Sequence, residues 1–229
     1  MVWLINPNGV LFGQNSQVNV AGLVASTLNI GDDNFLNGLY LFSGNGTGSV
    51  VNLGNLVARN GGYVGLLAPS VRNEGVVSAL QGSVVMAAGE KMTLDFNGGG
   101  LINVQVDPSQ ISTLIENKHL VQVGNGQVLM STSAANGLQT SVINNTGNIE
   151  ANSMVSDGGV IRLTGGKTVI NSGEISAVST QGNGGRIEML GENAGVMGKG
   201  SIDASGKTGG GTILLGGDFQ GKNSNIQYA

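Results

Sequence analysis

Asn145-Thr146-Gly147-Asn148-Ile149-Glu150-Ala151 returns further along the chain as Asn171-Ser172-Gly173-Glu174-Ile175-Ser176-Ala177. Both fit Asn-x-Gly-x-apolar-x-Ala, and so do Asn52-Gly54-Leu56-Ala58 and Asn73-Gly75-Val77-Ala79. Weaker copies are Asn19-Ala21-Leu23-Ala25 and Gly198-Gly200-Ile202-Ala204. The central glycines step by 21 from Gly54 to Gly75, and by 26 and then 27 from Gly147 through Gly173 to Gly200. A second landmark keeps the same time. Gly158-Gly159, Gly184-Gly185 and Gly210-Gly211 recur at a constant step of 26, and each pair opens an apolar run: Val160–Leu163, Arg186–Leu190 and Thr212–Leu215. A fixed period of this length is the mark of a repeat architecture.

Within each unit the apolar and polar positions alternate with period two, as in strands with one face inward and one outward. Strands of about four residues are unstable alone and gain stability when equivalent strands of the next unit pair above and below. Asn, Gly and Ser between them suit sharp corners, where they are expected to supply positive φ. Asn at matching corners can also stack its amides in a ladder. The expected fold is all-β: a parallel β-helix, right-handed by the usual chirality of parallel connections. A β-sandwich also has short strands and frequent turns, but its turns carry no phased repeat.

The phase is expected to break twice. Residues 31–48 form one excursion from the helix. Residues 97–125, with Gly98-Gly99-Gly100, Pro108 and the helical-looking run Gln110 to Glu116, form another. That leaves 126–229 as regular rungs of about 26 residues each, a length within the range of repeat units. The interval from Gly75 to Gly147 reads as three periods with an irregular middle one.

Composition narrows the function. Glycine makes up 41 of 229 residues, proline three and cysteine none. Without cysteine there are no disulfides and no thiolate metal sites. The net charge is −4 and the ten basic residues are scattered, which argues against a nucleic-acid groove. No apolar run approaches the roughly 18 residues that cross a bilayer as a helix, so no membrane insertion is expected.

Little in the chain suggests catalysis, a cofactor or a metal centre. The single histidine, His119, reads as a solvated surface residue, since a relay needs an orienting acid and a nucleophile beside it. Ser205-Gly206-Lys207-Thr208 misses the phosphate-loop pattern because Ser201 stands where the first glycine belongs. Many polysaccharide-active enzymes are β-helices, so the carboxylates Asp32, Asp33, Asp95, Asp107, Glu188 and Asp203 are candidates for a pair. Glu188 and Asp203 are the best placed, on the outer side of consecutive strands. Asn45-Gly46-Thr47 and Asn144-Asn145-Thr146 match the N-glycosylation triplet.

The entrance of the chain carries Leu4-Ile5-Asn6-Pro7-Asn8-Gly9-Val10, then Gly22-Leu23-Val24-Ala25-Ser26-Thr27-Leu28. Physically, Asn6 to Gly9 is a β-turn. Pro7 presets φ at its first central position and Asn6 can accept a backbone hydrogen bond. The strands Leu4-Ile5 and Val10-Leu11-Phe12 flank it. Asn-Pro-Asn-Gly before an apolar residue, in this setting, resembles the secretion domain of two-partner-secretion exoproteins. Filamentous haemagglutinin and the high-molecular-weight adhesins are the familiar members. The resemblance extends through the repeats over most of the chain. It implies a β-helical secretion module on a surface-exposed or secreted bacterial exoprotein that serves adhesion and virulence. It implies as partner an outer-membrane β-barrel transporter with periplasmic docking domains, and leaves a host-cell or carbohydrate receptor open. Residues 1–96 then belong to the secretion domain. In the family more chain precedes the motif, including a signal peptide, so this one is expected to be a single β-helix cut at both ends. The other readings are a polysaccharide-active β-helix enzyme and a purely structural spacer.

Overall fold

The computed structural model describes residues 1–96 and 101–217. Gly98 to Gly100 and the terminal run Ile226 to Ala229 lie outside the described residues. Three ladders of parallel strands run the length of the molecule, and the chain visits them in order, seven times, as a triangular coil. The first face stacks Val10–Phe12, Ser49–Asn52, Ser70–Asn73, Thr113–Asn117, Ser141–Asn145, Thr168–Asn171 and Asn193–Val196. In the first two coils a single long strand, Gln17–Ser26 and then Asn55–Ala68, supplies both other faces, bending at the register shift between Val20 and Gly22. Later coils separate the two, as in Val76–Ala79 and Ser83–Ala88. The strand Val2–Ile5 lies parallel on Leu23–Ser26 ahead of the first full coil.

Period-two alternation turns every second residue inward, and parallel register places like on like. One inward row on the first face is Val10, Val50, Val71, Ile115, Ile143 and Val169. A row on the third face runs Leu23, Val64, Val84, Val128, Ile161, Ile187 and Ile213. All but Ile213 are nearly or wholly buried. Each buried branched side chain contributes about 1.5–3 kcal/mol against exposure, so the rows carry the stability of strands too short to stand alone.

The repeat glycines serve a different purpose from the one expected of corners. Gly54, Gly75, Gly147 and Gly173 are not among the residues with positive φ; among the described residues the non-glycine ones with positive φ are Asn15 and Gln81. What these glycines avoid is collision. A Cβ on Gly75 would strike the Gly54 carbonyl oxygen, one on Gly147 that of His119, and one on Gly173 that of Gly147. The paired glycines also close a loop. Gly159, Gly185 and Gly211 donate their N–H to Ala151, Ala177 and Ala204, each at 2.7 Å, so the last three coils carry the same stacked loop.

The phase of the coils departs from expectation at three places. Asn19 pairs with Val57, so Asn19-Ala21-Leu23-Ala25 is out of step with the repeat; Phe12 holds the position of Asn52. The interval from Gly75 to Gly147 contains one intervening coil, since Asn73 pairs with Asn117 and Asn117 with Asn145. The helical-looking run is corrected too: Thr113–Asn117 is a strand. Ser70–Asn73 and Ser141–Asn145 offer it parallel backbone partners on both sides, which outweighs a local pattern. Leu120–Gln122 likewise belongs to the second face, so the excursion ends before Thr113.

The two excursions from the helix meet. Asn29–Ile30 and Tyr40–Ser43 pair antiparallel with each other, then with Lys91–Asp95 and Asn103–Val106, in a four-stranded outer sheet. A five-residue helix, Asp32–Leu36, lies beside it. The sheet covers the outer side of the third face over Val24, Leu67, Val85, Ala87 and Leu129, forming a second buried cluster with Phe42, Met92 and Leu94. Trp3 packs against this cluster and not inside the coil, 5.1 Å from Phe35, 5.3 Å from Tyr40 and 5.6 Å from Phe42.

Candidate functional site

The entrance turn connects Val2–Ile5 to Val10–Phe12 at the corner between the third and first faces. The Gly9 N–H donates to the Asn6 carbonyl at 3.1 Å, closing the turn, and the Asn8 N–H donates to Asn6 Oδ1 at 3.2 Å. The Asn6 N–H donates to Ser26 at 2.9 Å, continuing the parallel ladder into the turn. Gly9 takes φ +134°, a conformation L side chains rarely adopt. The second coil cradles the turn: a Cβ on Gly48 would stand 2.5 Å from the Pro7 carbonyl oxygen. Asn6, Pro7 and Asn8 are exposed and Gly9 is half-buried. Asn6 is spent on the turn's own hydrogen bonds. The Asn8 side chain and the Pro7 ring face solvent.

The corner asparagines form a second constellation. Asn52, Asn73, Asn117, Asn145 and Asn171 are fully buried and stacked. Each donates from Nδ2 to Oδ1 of the next: 2.8 Å from Asn52 to Asn73, 2.8 Å to Asn117, 2.8 Å to Asn145 and 2.7 Å to Asn171. Within a coil the same amide closes its own corner. Asn52 Oδ1 accepts from Gly54 N–H at 3.1 Å, and Nδ2 reaches the Gly54 carbonyl at 3.2 Å. At the far end Asn171 donates to the Ser201 carbonyl at 3.1 Å. Every ladder bond points toward the later coil. A buried amide left unpaired costs about 1–3 kcal/mol, so the ladder also penalises a register slip.

Asn117 escapes the repeat search because His119 replaces the central glycine and Val123 the alanine. The signal that finds it is Asn117-x-His119-x-Val121 with the last apolar position kept. His119 itself is exposed, and its carbonyl accepts from Asn117 Nδ2 at 3.3 Å.

The carboxylate pair does not assemble. Glu188 lies on the third face and Asp203 on the second, with the strand Asn193–Val196 between them in the chain. Glu188 is buried and ion-paired with both Arg162 and Arg186. Burial raises its pKa, but the two guanidinium hydrogen bonds and charges outweigh burial and hold the carboxyl below the usual range. A carboxylate kept ionised by two arginines is a poor proton donor. Among the described residues no group of three or more His, Cys, Asp or Glu is placed to hold a metal. No described helix is long and apolar enough to cross a membrane. Asn45 is exposed, and Asn144 is half-buried on the outer side of the first face.

The sequence matches the model of the TPS secretion domain over residues 1–177. The chain belongs to the TPS secretion domain family. Its fold agrees with the crystal structure of the HMW1 secretion domain from Haemophilus influenzae, with a TM-score of 0.87 and 31% identity over 99% of this chain and 59% of that one. A heme/hemopexin-binding protein of Haemophilus influenzae is 28% identical over 138 residues, covering 54% of this chain and 14% of the relative. The chain therefore spans less than two thirds of each. Membership makes it a secretion domain, a secretion and structural module that is not a known enzyme class.

Proposed function

We propose that this chain is the secretion module and first stretch of β-helical stalk of a large exoprotein, and that its transporter's periplasmic docking domains read the Asn6–Gly9 turn. The observation that carries the reading is the division of labour within that turn. The two bonds that close it, from the Gly9 and Asn8 N–H groups to Asn6, join near neighbours in the chain, so the turn itself can close before any coil exists. The Pro7 ring and the Asn8 amide remain outward, free for a partner.

Folding outside the cell then proceeds coil by coil. Each ladder asparagine presents Nδ2 toward the coil that follows, so an arriving coil finds a donor already in place. Burial of the apolar rows opposes backsliding through the pore. The passenger that the stalk presents is proposed to serve adhesion to a host-cell or carbohydrate receptor.

The test expresses the exoprotein with its transporter and compares Asn6→Ala with Asn8→Ala. Asn8→Ala is expected to reduce secretion several-fold while the purified module keeps its unfolding midpoint. Asn6→Ala is expected to lower both. Wild-type secretion of Asn8→Ala would show that the turn acts through folding alone.

A further inference from the structure

The outer sheet ends in an unprotected edge. Asn103–Val106 pairs antiparallel with Lys91–Asp95 on one side only. The Asp107 N–H donates to Lys91 at 3.0 Å, so Asp107, Gln105 and Asn103 turn their backbone groups toward that neighbour. Val104 and Val106 therefore present theirs outward, and none of the described residues takes them up. Natural edges are commonly blunted by lysine, proline or a bulge within the strand. Asn103-Val104-Gln105-Val106 has none of these.

The edge overlooks a shelf. The outer sheet covers the third face only as far as Leu129. Beyond it the face continues for three more strands, Val160–Thr164, Arg186–Leu190 and Thr212–Gly216. At the usual strand spacing that is about 14 Å of face beyond the described strands of the outer sheet. A cleft between edge and shelf is lined by Val104, Val106, Leu129, Ser131, Arg162 and Thr164, among others. Arg162 is the one charged residue among the described residues lining it. Glu188 offsets only one of the two guanidiniums it binds, leaving one positive charge in excess.

We propose that this edge accepts an extended, acidic peptide segment of a partner protein as a fifth, antiparallel strand of the outer sheet. Backbone hydrogen bonds to Val104 and Val106 hold the segment, as in other cases of strand addition. Its side chains alternate between solvent and the shelf, with an apolar residue over Leu129 and a carboxylate toward Arg162. The shelf selects a single strand. A second folded copy presenting the same edge would bring its own shelf into the same space.

The probe is a fluorescein-labelled peptide of sequence Thr-Val-Thr-Glu-Thr-Val-Thr-Glu, whose valines and glutamates share one face of the strand, titrated with the 229-residue chain. Saturable binding is expected, with slowed amide exchange at Val104 and Val106. Val104→Pro removes an outward N–H and leaves the inner ladder intact, and should weaken binding about tenfold. Arg162→Gln should weaken it several-fold and flatten the dependence on salt. Because Val104→Pro can disturb the sheet itself, exchange at Val104 and Val106 in the wild-type chain gives a reading free of mutation. No saturable binding, or binding without protection of these two amides, overturns the proposal. Concentration-dependent protection without peptide would assign the edge to self-association and overturn it equally.

Discussion

At the residue scale the ladder and the glycines that flank it make opposite demands. Asn117 sits mid-ladder with partners on both sides. Asn117→Ala leaves Asn73 Nδ2 without its ladder acceptor and Asn145 Oδ1 without its ladder donor, both in a buried corner. Denaturant unfolding should show a loss of about 2–4 kcal/mol; a loss below about 0.5 kcal/mol would mean water or relaxation satisfies the stack. Gly173→Ala places a methyl on the Gly147 carbonyl and should be worse still, whereas Gly195→Ala, with only the Met197 methyl at 3.8 Å, should be nearly neutral. Glu188 gives the pH dependence. Its folded pKa lies below the unfolded value near 4.5. Its contribution is therefore full above that value and lost as pH falls through the lower folded value. Thermal unfolding between pH 7 and pH 3 should drop more steeply for the wild type than for Glu188→Gln, and parallel curves would show that the arginine pair is not felt. Four of the five ladder residues are legible in the sequence because Asn and Gly recur with fixed spacing. Asn117 is hidden because the amide stack needs the asparagine itself, while the residue two further on need only offer its carbonyl, which the exposed His119 does as well as a glycine.

The elements show where local reading stops. The coil strands are legible because each face repeats its inward residues one coil later. The outer sheet is not, because its pairs join segments far apart in the chain, such as Leu41 with Thr93, and antiparallel register leaves no periodic trace. Trp3 is the hinge between the two systems. It belongs to a coil strand paired with Leu23–Ser26, yet its ring packs on Phe35, Tyr40 and Phe42 of the outer layer. As the only tryptophan in the chain it reports on that contact directly. Phe96 touches Trp3 at 6.2 Å, Tyr40 at 4.8 Å and Tyr63 at 5.0 Å. Phe96→Ala should cost about 3 kcal/mol or more and shift Trp3 emission to the red while the far-ultraviolet β signal persists. Loss of both signals together would show that outer sheet and coils fold as one unit; loss of neither would show that the aromatic cluster does not fix the sheet.

The whole molecule is close to one-dimensional. Most pairings join one coil to the next, so stability is a sum of coil interfaces, and a substitution is felt according to how many neighbours its coil has. Ile161 and Ile213 hold equivalent positions in the same inward row, two coils apart. Ile161 is fully buried between Val128 and Ile187, while Ile213 is 46% exposed with Ile187 on one side. Ile161→Ala should cost about 3 kcal/mol, in the range for a buried branched residue, and Ile213→Ala about 1 kcal/mol or less. Amide exchange should rank the same way, with Val160–Thr164 opening only in global unfolding and Thr212–Gly216 opening locally. Equal costs for the two substitutions would mean the coils unfold in a single step, and growth from one end would then lose its thermodynamic basis. A graded response means that each coil is held by the coil before it and made secure by the coil after it, which is what a chain emerging in order requires.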